Sequence, residues 1–322
     1  MIAFDEEVCA MPALPLTTAI ATYGHTKTLK DRTVRSERLV LEHLDVAPIT
    51  SAFRRMVRGL EFDVSDMAFS TYLCARACHK PMTALPVFLL RRFEHSGMVY
   101  NVKSGIQSPL DLHGRRVGVR SYTLTPGVWL RGILQSAYGV DLHQVQWVLF
   151  GDEHVAEYVA PANVTPAPAG CDMLSMLQAG EIDAAIGVRA ADAPELRPLI
   201  PEARNAAITH FKQTGIYPIS HLVVVKDELL NAHPWLAEEL FVLFTAAKER
   251  YLGHLRGGAP QGPQDEAMQA LRQVVGDDPL LYGVAPNQKT IEAFLRFNVD
   301  QHIIPHPMEV EELFPRSVLT LV

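Results

Sequence analysis

The chain has 322 residues, a formal net charge of −7, 48% hydrophobic residues and 20% charged ones. That length predicts two lobes, each with a core of its own, in an ordinary globular composition. The acidic balance argues against nucleic acid as the main partner, and no apolar run approaches the ~18 residues of a membrane span. An anionic ligand would therefore need a local arginine cluster.

The N-terminal stretch MIAFDEEVCAMPALPL opens on acids and lacks the basic and long apolar regions of a signal peptide. Four cysteines, Cys9, Cys74, Cys78 and Cys171, make no disulfide framework. Cys74 and Cys78 fall one helical turn apart in an apolar segment, which reads as core packing, with no second pair to complete a zinc pattern. A reducing, cytoplasmic compartment is expected.

Residues 17–23 (TTAIATY) are β-branched and apolar and predict the first strand, ending on Gly24, His25 and Thr26. Residues 49–59 carry apolar and basic residues at helical spacing, and Arg54, Arg55 and Arg58 read as a solvated face. Residues 62–70 (FDVSDMAFS) predict a strand with a polar exit, followed by an apolar helix through Cys78. Residues 86–90 and 98–102 are two strands in quick succession, separated by Arg91, Arg92, Phe93, Glu94 and His95, as suits a crossing between lobes.

Residues 114–127 (GRRVGVRSYTLTPG) then read as strand, polar turn and helix start. Pro126 suits the first helical turn, where its missing N–H is no loss, and the free N–H groups of such an end attract anions. Residues 145–150 form a strand opening onto Gly151, Asp152, Glu153 and His154. Residues 159–170 (VAPANVTPAPAG) predict a long loop, rich in Pro and Ala. A short helix (172–180), a strand ending at Arg189 (182–188) and an irregular stretch (193–213) follow. Residues 215–225 predict a strand that returns the chain to the first lobe. A long helix (235–255) and two further helices near 265–275 and 288–300 read as packing elements; their leucines leave core packing and homo-oligomer packing both open.

Alternating strands and helices imply an α/β protein with parallel sheets, whose ligands bind outside the strand carboxyl ends. The polar tips above are all such ends or crossing segments. Their convergence makes the 114–127 turn a candidate site.

The order of elements resembles the type 2 periplasmic-binding-protein fold, two α/β lobes hinged by two crossings with C-terminal helices. On that division, residues 1–102 begin the first lobe, 103–214 form the second, and 215–322 return to the first. Within the fold, GRRVGVRSYTLTPGVWLRGIL, VQWVLFGDEHVAEY, GEIDAAIGV and TGIYPISHLVVV together resemble the 4,5-dihydroxyphthalate decarboxylases, over residues 17–251. DLHGRRVGV and GEIDAAIGV are generic to the fold, whereas RSYT and GDEHVAEY are more specific. The resemblance implies loss of one carboxylate from a dihydroxylated phthalate, giving protocatechuate and CO2.

In such a substrate each carboxylate is para to a hydroxyl. Deprotonating the hydroxyl pushes electron density onto the carboxylated carbon, and protonation there allows CO2 to leave as the ring regains aromaticity. No electron-sink cofactor is required. The chemistry needs a donor fork for the retained carboxylate, best supplied by Arg, and an acid and a base, most often His. Substrate-binding candidates are Arg120, Ser121, Tyr122 and Thr123 in the turn, with Arg92 and Arg189; for Arg91 and Arg92 the alternative is pairing with surface acids. Proton-transfer candidates are His154, Glu153, His25 and His221, with His95 a further one in the crossing. A divalent metal is kept as an alternative, because a catechol chelates cations and His25, Glu153, His154 and His221 are suitable ligands. Lobe closure is expected to desolvate the leaving carboxylate. The competing readings are a non-catalytic binder of an aromatic carboxylate and a same-fold enzyme for another aromatic acid.

Overall fold

The computed structural model describes residues 12–322, so Cys9 and the signal-peptide reading of the N-terminus lie outside the described residues. The first part of the chain runs β1 (Leu14–Ala19), α1 (Lys27–Lys30), β2 (Leu39–His43), α2 (Thr50–Gly59), β3 (Val64–Ala68), α3 (Phe69–Ala77) and β4 (Met82–Arg91). Next come β5 (Met98–Asn101), β6 (Arg116–Val119), α4 (Thr125–Tyr138), β7 (Gln146–Leu149) and β8 (Val164–Pro166). They are followed by α5 (Met173–Ala179), β9 (Ala184–Ile186), β10 (Leu196–Pro198) and α6 (Ala203–Thr214). The chain ends with β11 (Ile219–Lys226), α7 (Asp227–Ala232), α8 (Leu236–Gly257), α9 (Pro263–Val275) and α10 (Gln288–Asp300).

Two sheets result. The first has the order β2-β1-β3-β11-β4 and the second β10-β5-β9-β6-β7-β8. β1 pairs in parallel with β2 and β3, while β11 returns antiparallel between β3 and β4. β5 already pairs with β9 and β10, so the chain enters the second sheet at Met98 and the first crossing is 92–97, ahead of the 102/103 division. The second crossing is 215–218. This is a two-lobed α/β fold of the type 2 periplasmic-binding-protein kind.

Three local expectations change. β1 stops at Ala19 because the Thr26 hydroxyl donates to the Ala21 carbonyl at 2.7 Å and pulls the chain into a bend. Residues 159–170 are not wholly loop, since Val164–Pro166 adds an edge strand to β7. Within 193–213, Ala203 begins a regular helix of 12 residues, α6.

The lobes are also joined by packing. Ser70, at the start of α3, accepts no solvent: its N–H donates to Thr125 Oγ1 at 3.0 Å and its hydroxyl lies 2.7 Å from the same atom. α10, from the returning segment, packs on α4 of the second lobe, with Phe294 stacked on Trp129 at 4.5 Å. Gly132 allows this approach, because a Cβ there would come within 2.2 Å of the Phe297 ring. Trp129 Nε1 donates to the Ile219 carbonyl of β11 at 2.8 Å, fixing α4 against the second crossing.

Candidate functional site

The carboxyl ends of β1 and β3 and the amino end of β11 face the carboxyl ends of β6 and β7 across the cleft. The exits of β6 and β7 run against each other: a Cβ on Gly151 would lie 3.0 Å from the Arg120 carbonyl oxygen. This brings Glu153 onto the turn before α4. Its carboxylate accepts from the Tyr122 N–H at 2.6 Å, the Thr123 N–H at 3.2 Å, and the hydroxyls of Ser121 and Thr123. The turn therefore has its own internal anion. Glu153 is its fastener rather than a free proton carrier, and the Tyr122 and Thr123 N–H groups are engaged. Tyr122 is a core residue as well, its ring buried beneath the Arg131 guanidinium at 4.0 Å.

Arg120 is different. It is exposed, has no carboxylate partner among the described residues, and with Ser121 forms the partition between two chambers. The first, of about 370 Å³, is lined by Thr50, Ser51, Arg54, Arg120, Asp152 and His154 among others. The second, of about 510 Å³, has apolar walls that include Leu124, Phe150, Met173 and Ile186, with Arg92 on its lining.

The first chamber is made by α2 reaching across the lobes. Arg58 donates from Nε to the His154 carbonyl at 3.1 Å and from Nη2 to the Glu153 carbonyl at 2.9 Å. Arg54 donates from Nη2 to the Asp152 carbonyl at 3.3 Å, and its buried Nε has no partner. Arg54 and Arg58 thus form an interlobe clasp, while Arg55, paired with Glu61, and the exposed body of Arg58 fit the expected solvated face. The sequence reading missed Arg54 because three arginines at helical spacing look alike until their partners are known.

His154 is buried, with Nδ1 3.0 Å from Thr71 Oγ1 of α3. Burial, then the guanidinium groups of Arg54, Arg120 and Arg58, push its pKa down to about 4, so the ring is neutral at pH 7. The ring meets Phe53 of α2 edge-on at 6.0 Å, and His221 meets the same Phe53 at 5.0 Å. His221 Nδ1 is 3.1 Å from the Tyr23 hydroxyl and 3.1 Å from Asp66 Oδ1, and Tyr23 donates to Asp66 Oδ2 at 2.9 Å. Asp66, wholly buried in β3, was not anticipated. The signal was there: a lone acid inside a strand whose other residues are apolar or small.

Of the remaining candidates, His25 and Arg189 lie away from the chambers and Arg92 is at the rim of the second. His25 is buried behind Tyr23, ring stacked on ring at 5.3 Å, with both nitrogens unpartnered; burial and then Lys248 push its pKa to about 3. It is a neutral core histidine. Arg189 is 84% exposed and pairs with Asp192 one turn on, so it points to solvent. Arg92 pairs with buried Glu94 at 2.8 Å and contributes only to the rim of the second chamber. Of the four residues named as possible metal ligands, His25 is enclosed and Glu153 is held by the turn, and among the described residues no group of three His, Cys, Asp or Glu side chains converges.

No protein-family model matches the chain. It is 29% identical over 324 residues to the 4,5-dihydroxyphthalate decarboxylase of Comamonas testosteroni, covering 94% of this chain and 97% of that protein. To the 4,5-dihydroxyphthalate decarboxylase of Pseudomonas putida it is 32% identical over 192 residues, covering 57% and 74%. Among solved structures, the periplasmic aliphatic sulphonate binding protein SsuA of Escherichia coli matches 96% of this chain and 99% of its own, at a TM-score of 0.53 and 12% identity. That last likeness bears on the fold alone. No helix of the described residues is long and apolar enough to cross a membrane. By its similarity to the two decarboxylases, the chain belongs to the 4,5-dihydroxyphthalate decarboxylase family.

Proposed function

We propose that this protein removes one carboxylate from 4,5-dihydroxyphthalate, giving protocatechuate and CO2, in the chamber between α2 and the exits of β6 and β7. The observation that carries this reading is a pair of guanidinium groups without carboxylate partners, Arg54 and Arg120, lining one chamber with a neutral, buried His154. Guanidinium forks suit planar carboxylates, and each charge-assisted hydrogen bond is worth about 1.5–3 kcal/mol.

The same arrangement supplies an acid. The fields of Arg54, Arg120 and Arg58 help to keep His154 unprotonated in the empty chamber. A bound dianion offsets those fields and raises the pKa of His154 against the burial that is the larger cause of its neutrality, which favours uptake of a proton as the substrate enters. Its Nδ1 is turned to Thr71, which leaves Nε2 to deliver that proton to the ring carbon bearing the leaving carboxylate. Electron density for this step comes from the para hydroxyl once a base has taken its proton. The carbon–carbon bond then breaks, its electron pair restores the aromatic ring, and CO2 departs. This route draws on no cofactor, and the enzyme would work in the cytoplasm on a small aromatic dicarboxylate.

The test is to incubate chelator-treated protein with 4,5-dihydroxyphthalate and measure CO2 and protocatechuate, with and without added divalent cation. Turnover without metal supports the acid–base route. Turnover only with metal overturns it, and tight binding without turnover would make the protein a binder of aromatic acids instead.

A further inference from the structure

The route above needs a base for the hydroxyl, on the far side of the ring from the acid. The rings of His154, from the second lobe, and His221, from the first, both meet the ring of Phe53, at 6.0 and 5.0 Å, and His154 lines the first chamber beside it. His221 sits at the amino end of β11, opposite Ala68, the last residue of β3. That is the cleft edge of the first sheet.

Its two nitrogens have different surroundings. Nδ1 is enclosed by the Tyr23 hydroxyl and Asp66 Oδ1, each at 3.1 Å. Nε2 has no hydrogen-bond partner among the described residues and is not sealed from solvent. With Tyr23 donating to Asp66 Oδ2, the Tyr23 oxygen keeps its lone pairs free and accepts from Nδ1–H. That tautomer leaves Nε2 unprotonated and ready to accept. Asp66 Oδ1 is buried with no hydrogen bond of its own. A carboxylate oxygen left so gains most when the imidazole beside it becomes charged.

We propose that His221 Nε2 is the base that takes the hydroxyl proton, and that Asp66 and Tyr23 are positioning residues that fix its tautomer and stabilise the imidazolium formed. The proposal rests on the decarboxylase reading. The proton goes from the hydroxyl oxygen to Nε2, the phenolate electron pair moves into the ring, and the ring carbon takes its proton from the acid. After CO2 leaves, His221 returns its proton to the phenolate oxygen, and the acid is recharged from solvent. The charged or titratable groups facing this cluster are Asp66 from β3, Tyr23 after β1, Glu94 from the first crossing, and Lys30 of α1, which senses Asp66. Phe53 of α2 adds no charge.

The experiment compares wild type with Asp66→Asn, Tyr23→Phe and His221→Gln, following kcat and KM with 4,5-dihydroxyphthalate. Asp66→Asn should lower kcat by about 10²-fold or more, within the usual range for general-base catalysis, with KM changed less than about threefold. His221→Gln should lower kcat at least as far, and Tyr23→Phe should lower kcat by about tenfold while binding persists. If Asp66→Asn does not fold, Tyr23→Phe carries the test by the same readouts. Wild-type kcat in the variants, or a raised KM with kcat unchanged, overturns the relay alone. An inert wild type overturns the decarboxylase reading and the base role with it.

Discussion

Thr71 Oγ1, on the first helix after β3, lies 3.0 Å from Nδ1 of His154, whose backbone hangs from the second sheet. One lobe therefore orients the imidazole that the other lobe carries. Thr71→Val keeps the shape and removes the partner. It should cost about 0.5–1.5 kcal/mol of stability, and it should lower kcat more than it raises KM, because the ring loses its fixed orientation. A thermal melt and steady-state kinetics check both.

The two carboxylate-free arginines should act on binding. Arg120→Ala and Arg54→Ala should each weaken the diacid by about 1.5–3 kcal/mol, seen as a rise in KM or in the Kd of a non-reactive phthalate. Arg189→Ala, whose guanidinium is paired with Asp192 in solvent, should leave both unchanged. An equal response from all three would remove the chamber assignment.

Glu153 should behave as structure. Glu153→Gln puts an amide N–H₂ among donors that now converge on a carboxylate, namely the Tyr122 and Thr123 N–H groups and two hydroxyls. A loss of about 1–3 kcal/mol is expected, with a lower melting temperature measured in the absence of substrate. A catalytic acid without that structural duty would lose turnover and leave the melt unmoved.

Stability should fall as the pH drops below about 6.5. Burial holds His25 near pKa 3, and His95 and His154 near 4, whereas each returns to about 6.5 on unfolding. Below 6.5 the unfolded chain takes up protons that the native rings refuse, so native stability is complete above that pH and declines toward 4. Denaturant midpoints between pH 7.5 and 5 should show the decline, and His25→Leu should make it shallower. A flat profile in wild type would contradict the neutral burial of these rings.

Much of the fold was legible because the longer strand and helix periods were clean and most of those strands ended in a polar tip, whereas the short strands β2, β8 and β10 carry too few residues to show a period. Arg120 could be found on the same grounds, as a charge directly beyond a strand. Roles that depend on partners could not. Glu153 and His154 are adjacent in GDEHV, yet one is consumed by four donors from a turn thirty residues away and the other faces a chamber. Arg54 is separated from Arg55 by whether a carbonyl of the other lobe or Glu61 is within reach. His25 looked like a strand-end polar residue, but β1 ends six residues earlier and the bend folds the ring inward.

The seat of α10 on α4 has a consequence for how the protein melts and how it receives a ligand. One apolar cluster runs from Leu16 and Phe53 through Trp129 and Trp147 to Phe294, so the lobes share a core and do not merely touch. Calorimetry should record a single cooperative transition, with van't Hoff and measured enthalpies in agreement. A shared interior of that kind opposes hinge motion, so less lobe closure is expected than the fold alone implies, and a rigid aromatic acid would incur less of the ordering cost that flexible sites incur on association.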